Sequence, residues 1–189
     1  MTLRFGTDGI RGVANQELTP ELVTAVGRAA ARVLGVAHPF VVGRDTRRSG
    51  PMLEAALVAG LCAEGADVLF AGVLPTPAVA QLAHERDAPA AMITASHNTF
   101  ADNGVKLFAV GGRKLSDEVE RGIEHELRAL ATGMPSGPDG RGGVRAAGRA
   151  RRVRRPRGGR AGRPAARWSA GGRRLRERRG LPRGTARAA

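Results

Sequence analysis

Apolar positions in the first part of the chain follow two alternating rhythms. Leu22, Val23, Val26, Ala29, Ala30, Val33 and Leu34 recur at helical spacing. Thr19-Pro20 supplies a capping side chain and a proline at the first helical position, and Gly35 ends the run. A short apolar strand over 39–42 (PFVV) leads into Gly43-Arg44-Asp45-Thr46-Arg47. Ser49-Gly50-Pro51 opens a second helix with Leu53, Ala56, Leu57, Gly60 and Leu61 on one face, and Gly65 closes it. Further strands are predicted over 67–71 (DVLFA), 90–94 (AAMIT) and 105–108 (VKLF). A third helix runs from Pro75-Thr76-Pro77 to about Glu85. A fourth spans 117–130, capped by Ser116, with acids in its first turn.

Strands separated by helical spacers of this length predict an α/β fold: a mostly parallel mixed sheet with helices on both faces. Ligands of such sheets bind beyond the carboxyl ends of the strands. The chemically richest loops fall there: 43–47, 74–77, and Ala95-Ser96-His97-Asn98.

Composition divides the chain in two. The 189 residues carry a formal net charge of +14, which taken whole suggests a nucleic-acid or membrane-surface binder. Residues 1–135, however, hold 13 basic and 15 acidic side chains, and residues 136–189 hold 18 and 2. Of the last 54 residues, 44 are Arg, Gly, Ala or Pro, and none is Lys. These four residues share codons that begin with two G or C bases. The expectation is therefore a domain over 1–132 and a disordered basic tail over 133–189, read as frameshifted or misassigned sequence. The alternative is a real tail that binds nucleic acid through arginine. The single cysteine, Cys62, sits in LVAGLCAEG as a small core residue and excludes a disulfide framework. No apolar run approaches the roughly 20 residues of a membrane span, and no secretory leader is visible. A soluble, cytoplasmic chain that does not engage a membrane is expected.

Four segments can carry chemistry. In Thr94-Ala95-Ser96-His97-Asn98, a small Ala leaves the Ser96 hydroxyl reachable, with His97 and Asn98 beside it. The same residues are also ordinary loop chemistry, and no G-x-S-x-G elbow supports a hydrolase. In Phe5-Gly6-Thr7-Asp8-Gly9-Ile10-Arg11-Gly12, the glycines permit close approach and Arg11 offers a fork suited to phosphate. A plain turn with a surface arginine reads the same way, and a P-loop is excluded. Asp102-Asn103-Gly104 predicts a tight turn. Lys106, between Val105 and Leu107, lies either outward on an edge strand or aimed into a cleft, and alternation alone favours the outward reading. Gly43 to Gly50 reads as an Asp45/Arg pair bracing a loop, or as a phosphate site at the helix after Ser49.

The joint order of these segments is far more specific. FGTDGIRG at 5–12, GRDTRRSG at 43–50, GVLPTPAVA at 72–80, ITASHN at 93–98 and DNGVKLF at 102–108 resemble the α-D-phosphohexomutases over roughly residues 1–132. The wording at 6–12 and 102–108 looks like the branch that acts on glucosamine phosphate. The resemblance implies the first of four domains, with the phosphoserine loop. It implies that Ser96 carries a phosphoryl group, donates it to the sugar phosphate and takes one back. Arg11 and Lys106 match basic catalytic residues near that serine; His97 and Asn98 match its neighbours, His97 with the catalytic set and Asn98 with substrate binding. The implied reaction interconverts glucosamine 6-phosphate and glucosamine 1-phosphate through a bisphosphate, with a phosphomannomutase or phosphoglucomutase as the alternative. The implied cofactor is Mg²⁺, bound in part through the phosphate on Ser96. A non-catalytic sugar-phosphate binder is the remaining reading.

Two departures matter. Thr99 stands where the family usually has Pro, and the family's Asp-Gly-Asp-Gly-Asp-Arg metal loop is not in this sequence. One phosphate oxygen cannot hold Mg²⁺ octahedrally against water, so this chain alone is expected to be inactive. The frameshift reading predicts that the DNA beyond about codon 130, translated in another frame, continues into that metal loop. Resequencing that finds an undisturbed frame overturns it.

Overall fold

The Thr19 hydroxyl accepts a hydrogen bond from the Leu22 amide at 3.3 Å and starts the first helix where the sequence places it. The computed structural model describes residues 9–131 and 144–146. Their elements are β1 (Ile10–Val13), α1 (Pro20–Leu34), β2 (Phe40–Arg44), α2 (Gly50–Ala63), β3 (Val68–Val73), α3 (Thr76–Glu85), β4 (Ala90–Ile93), β5 (Asp102–Ala109), β6 (Arg113–Lys114), α4 (Asp117–Ala131) and β7 (Val144–Ala146). All four predicted helices and four predicted strands are present. The reading of 133–189 as a disordered tail, or as a nucleic-acid binder, lies outside the described residues, apart from β7, which pairs with β3.

The strands form one mixed sheet in the order β1-β5-β4-β2-β3-β7, with β6 also on β5. β4, β2, β3 and β7 pair in parallel. β5 is antiparallel to each of its neighbours β1, β4 and β6. One strand is therefore reversed in an otherwise co-directional sheet. Alternation along the strands splits the core between two faces. Ile10, Phe40, Val42, Ile93, Val105 and Leu107 pack with α1, α2 and Ile123 of α4. Val41, Ala90, Met92 and Phe108 pack on the other side with Val79 and Ala83 of α3. Helices thus cover both faces, and the strands read as near-continuous apolar runs for that reason.

Three differences from the sequence reading have physical causes. β1 was not predicted, because IRGV is too short and too polar to signal a strand without its partner β5. Asn103-Gly104 does not make a tight turn but lies inside β5, opposite Gly12 and Arg11. A Cβ on Gly104 would stand 2.7 Å from the Thr94 carbonyl oxygen and 2.8 Å from that of Ile10, so glycine is needed there for close packing rather than for turning. Lys106 does leave the face of Val105 and Leu107, but the opposite face is covered too. It is half-buried, with its ammonium 5.6 Å from the Phe108 ring centroid.

Helices α1 and α2 approach closely at glycines. A Cβ on Gly60 would lie 2.1 Å from the Thr24 oxygen, and one on Gly27 2.4 Å from the Leu57 oxygen. Glu64, at the end of α2, ties the helices together. Its carboxylate accepts from Arg28 Nε at 2.7 Å and Arg32 Nε at 3.0 Å, and Arg32 also reaches Glu126 of α4 at 3.1 Å. Cys62 packs half-buried beside the first core, where burial, then the Asp67 charge, push its thiol pKa up. Among the described residues no helix is long and apolar enough to cross a membrane.

Burial alone would raise the pKa of Glu64, but the hydrogen bonds from Arg32 and Arg28 outweigh it and hold it low. The cluster's stabilisation is complete above about pH 4.3, the ordinary glutamate value, and is lost as pH falls through the lowered folded value. Glu64→Gln should cost about 1.5–3 kcal/mol at neutral pH and flatten the acid limb of a stability–pH profile measured by urea melts.

Candidate active site

β2 and β4 are hydrogen-bonded neighbours, with Arg44 opposite Ile93. The loops that leave their carboxyl ends therefore emerge side by side, and the Asp45 amide donates to the Ile93 carbonyl at 3.0 Å. Reversed β5 begins at the same edge. Ser96 is thereby set against Asp45–Ser49, far from it in sequence.

The loop after β4 turns sharply. Ala95 is fully buried, while Ser96 and His97 are exposed. Ser96 has φ +55°, a left-handed conformation costing a non-glycine residue about 1 kcal/mol or more. The turn aims its side chain outward. Its amide donates to Thr94 Oγ1 at 2.9 Å, and none of its hydrogen bonds among the described residues uses the hydroxyl. Thr94 Oγ1 in turn donates to Asp45 Oδ2 at 2.7 Å. Asn98 is half-buried, with Nδ2 donating to Asp102 Oδ2 at 3.2 Å.

Arg47 lies beneath this loop, its side chain 12% exposed. Nε donates to Asp45 Oδ2 at 3.1 Å. Nη2 donates to the carbonyls of Ser96 at 3.0 Å and Asn98 at 2.9 Å. Nη1 donates to those of Asp102 at 3.0 Å and of Thr99. The Asp45–Arg47 pair read from the sequence is present, and Asp45 Oδ1 also accepts the Arg47 amide at 2.9 Å. The spacing Asp-x-Arg signals this pair. The four carbonyls facing the guanidinium carry no local signal, so its larger role was missed.

An open cavity of about 460 Å³ lies against Ser96, lined also by Thr46, Arg47, Arg48, Asn98 and Phe100. Arg11 and Lys106 are not in its lining. Arg11 is opposite Gly104 on β1 and Lys106 is two residues further along β5, which puts both on the sheet face covered by α3. A Cβ on Gly104 would come 3.0 Å from Arg11 Cγ, so that glycine also clears the path of the arginine. Asn103 Nδ2 donates to Ser49 Oγ at 2.9 Å, tying fully buried Asn103 of β5 to the start of α2.

The described residues do not fit a Mg²⁺ site by themselves. Asp45 is engaged by Arg47 and Thr94, Asp102 by Asn98, and no group of three His, Cys, Asp or Glu side chains gathers among them.

Comparison with known proteins agrees with the fold and the motifs. Residues 2–133 match the model of the phosphoglucomutase/phosphomannomutase α/β/α domain I. The chain is 54% identical over 147 residues to a phosphoglucosamine mutase of Pelotomaculum thermopropionicum, covering 76% of this chain and 33% of that protein. It is 59% identical over 134 residues to one of Rhodococcus opacus, covering 68% and 30%. A solved phosphoglucomutase/phosphomannomutase family protein from Burkholderia thailandensis superposes with TM-score 0.63 at 29% identity, over 75% of this chain and 32% of that one. The chain spans about a third of the length of the curated relatives it matches.

Ser96→Gly removes the left-handed strain and no hydrogen bond of the hydroxyl. It should raise unfolding stability by about 1 kcal/mol in urea melts; a loss of that size would show that the turn stores no strain.

Proposed function

The chain belongs to the phosphoglucomutase/phosphomannomutase family, spanning its domain I, and we propose that it is the phosphoserine-bearing portion of a phosphoglucosamine mutase. The observation that carries this reading is Ser96, exposed at a left-handed turn over a locked loop and facing an open cavity.

In the proposed reaction, phosphorylated Ser96 gives its phosphoryl group to the O1 hydroxyl of glucosamine 6-phosphate. The Oγ–phosphorus bond breaks as the O1–phosphorus bond forms, and the O1 proton ends on the released Ser96 oxygen, leaving a bisphosphate. That intermediate turns over in the site, the O6–phosphorus bond breaks as the Oγ–phosphorus bond reforms, the Ser96 proton passes to O6, and glucosamine 1-phosphate leaves. Such transfer is mainly positioning and charge neutralisation, so a serine hydroxyl needs little special nucleophilicity. The phosphoserine dianion needs cations and fixed donors around it. The proposal assigns Arg11 and Lys106 to that charge, His97 to the phosphoserine loop and Asn98, in the cavity lining, to the sugar phosphate. The glucosamine preference is supported by the relatives' names, with identities of 54% and 59%. The chain alone, a third of those relatives' length, is proposed not to turn over.

Incubating the 189-residue chain with glucosamine 1,6-bisphosphate should leave one phosphoryl group, mapped to Ser96 by mass spectrometry. A coupled assay should show no net conversion of glucosamine 6-phosphate. Label that survives Ser96→Ala, or that maps to another residue, overturns the assignment of Ser96. Turnover near that of a full-length mutase overturns the inactivity.

A further inference from the structure

The two arginines at 47 and 48 line the same cavity but stand in opposite situations. Arg48 is exposed. Arg47 is fully committed: a guanidinium has five N–H donors, and here one goes to Asp45 and four to the carbonyls of Ser96, Asn98, Thr99 and Asp102. A planar fork has no donor left for a substrate phosphate once all five are used.

We propose that Arg47 is a positioning residue: it fixes the 96–102 loop from beneath, so that Ser96 keeps its left-handed turn and presents its hydroxyl in one orientation. This rests on the reading of Ser96 as the phosphate carrier. Four inward-turned carbonyls require a donor array under the loop, because unpaired they would seek water and the loop would open. A strained residue such as Ser96 persists only where its surroundings over-determine it. Asp45 completes the device. It orients Arg47 through Nε and the backbone amide, and through Thr94 it reaches the Ser96 amide. The loop is thus held at the carbonyl and at the amide of the very residue that would carry the phosphate.

The idea separates geometry from charge. A lysine keeps the charge but offers three donors from one nitrogen and cannot span four carbonyls. Phe100, 92% exposed at the tip of the loop, provides a reporter, since chymotrypsin cleaves there once the local backbone opens. Arg47→Lys and Arg47→Ala in the full 189-residue chain should both speed cleavage after Phe100 at least tenfold. Millimolar methylguanidinium should slow it again in Arg47→Ala but not in Arg47→Lys. With glucosamine 1,6-bisphosphate, the saturating rate of Ser96 labelling should fall about 100-fold in Arg47→Lys, as for a misplaced reacting group, with the half-saturating concentration unchanged. Unchanged cleavage in both variants, or lysine behaving as arginine, overturns the clasp. Label that maps to a residue other than Ser96 overturns the carrier reading instead, and leaves the cleavage measurements to decide the clasp alone.

Discussion

The parallel pairing of β2 with β4 is the contact on which the site depends. The two strands are joined through a helix, a strand and another helix, yet their hydrogen bonds bring the ends at Arg44 and Ile93 into register. Parallel neighbours release their following loops at the same edge of the sheet. Asp45 and Arg47 from one loop therefore meet Thr94, Ser96 and Asn98 from the other. A shift of one residue in that pairing would turn every side chain of β4 to the opposite face and dismantle both cores as well as the site.

The reversal of β5 adds the third component. Because β5 runs against β4, its first residues lie beside the loop that precedes it, and Asp102 and Asn103 take part in the same cluster. The Asp102 carbonyl accepts from Arg47, and Asn103 reaches Ser49 at the start of α2. Gly104 lets β1 and the end of β4 close on β5 from either side, and Arg11 passes over it. The reversal thus places two cations, Arg11 and Lys106, on one sheet face and the exposed serine at the edge of that sheet.

The site combines an exposed hydroxyl with a half-buried arginine that holds the backbone carrying it. Ser96 is in solvent, but its backbone is bound on both sides and its neighbour Ala95 is sealed in the core. This division suits the proposed phosphoryl transfer, in which the reacting oxygen must be reachable and the frame around it must not reorganise. It also separates the roles of adjacent arginines: one is consumed in making the frame and the other faces the open space.

Local pattern sufficed for much of this molecule. Thr19-Pro20, the apolar stripe at 22–34, and Ser49-Gly50-Pro51 encode helices through contacts a few residues apart, and these helices formed as read. The strand at 90–94 and the loop chemistry at 94–98 were legible for the same reason. β1 was not, since IRGV gains its stability only from β5, and Asn103-Gly104 was misread because a turn dipeptide and a close-packed strand glycine look alike in one dimension. Lys106 followed the alternation, but whether the far face was open or covered depended on α3. The sequence alone determined the order of the four helices and of β2, β3, β4 and β5, and put a serine at a strand end. Tertiary structure decided which strands became neighbours, and hence that Arg47 would face four carbonyls of a loop about 50 residues away. Such pairings are set by the closure of long loops around two shared cores, and no short-range periodicity records them.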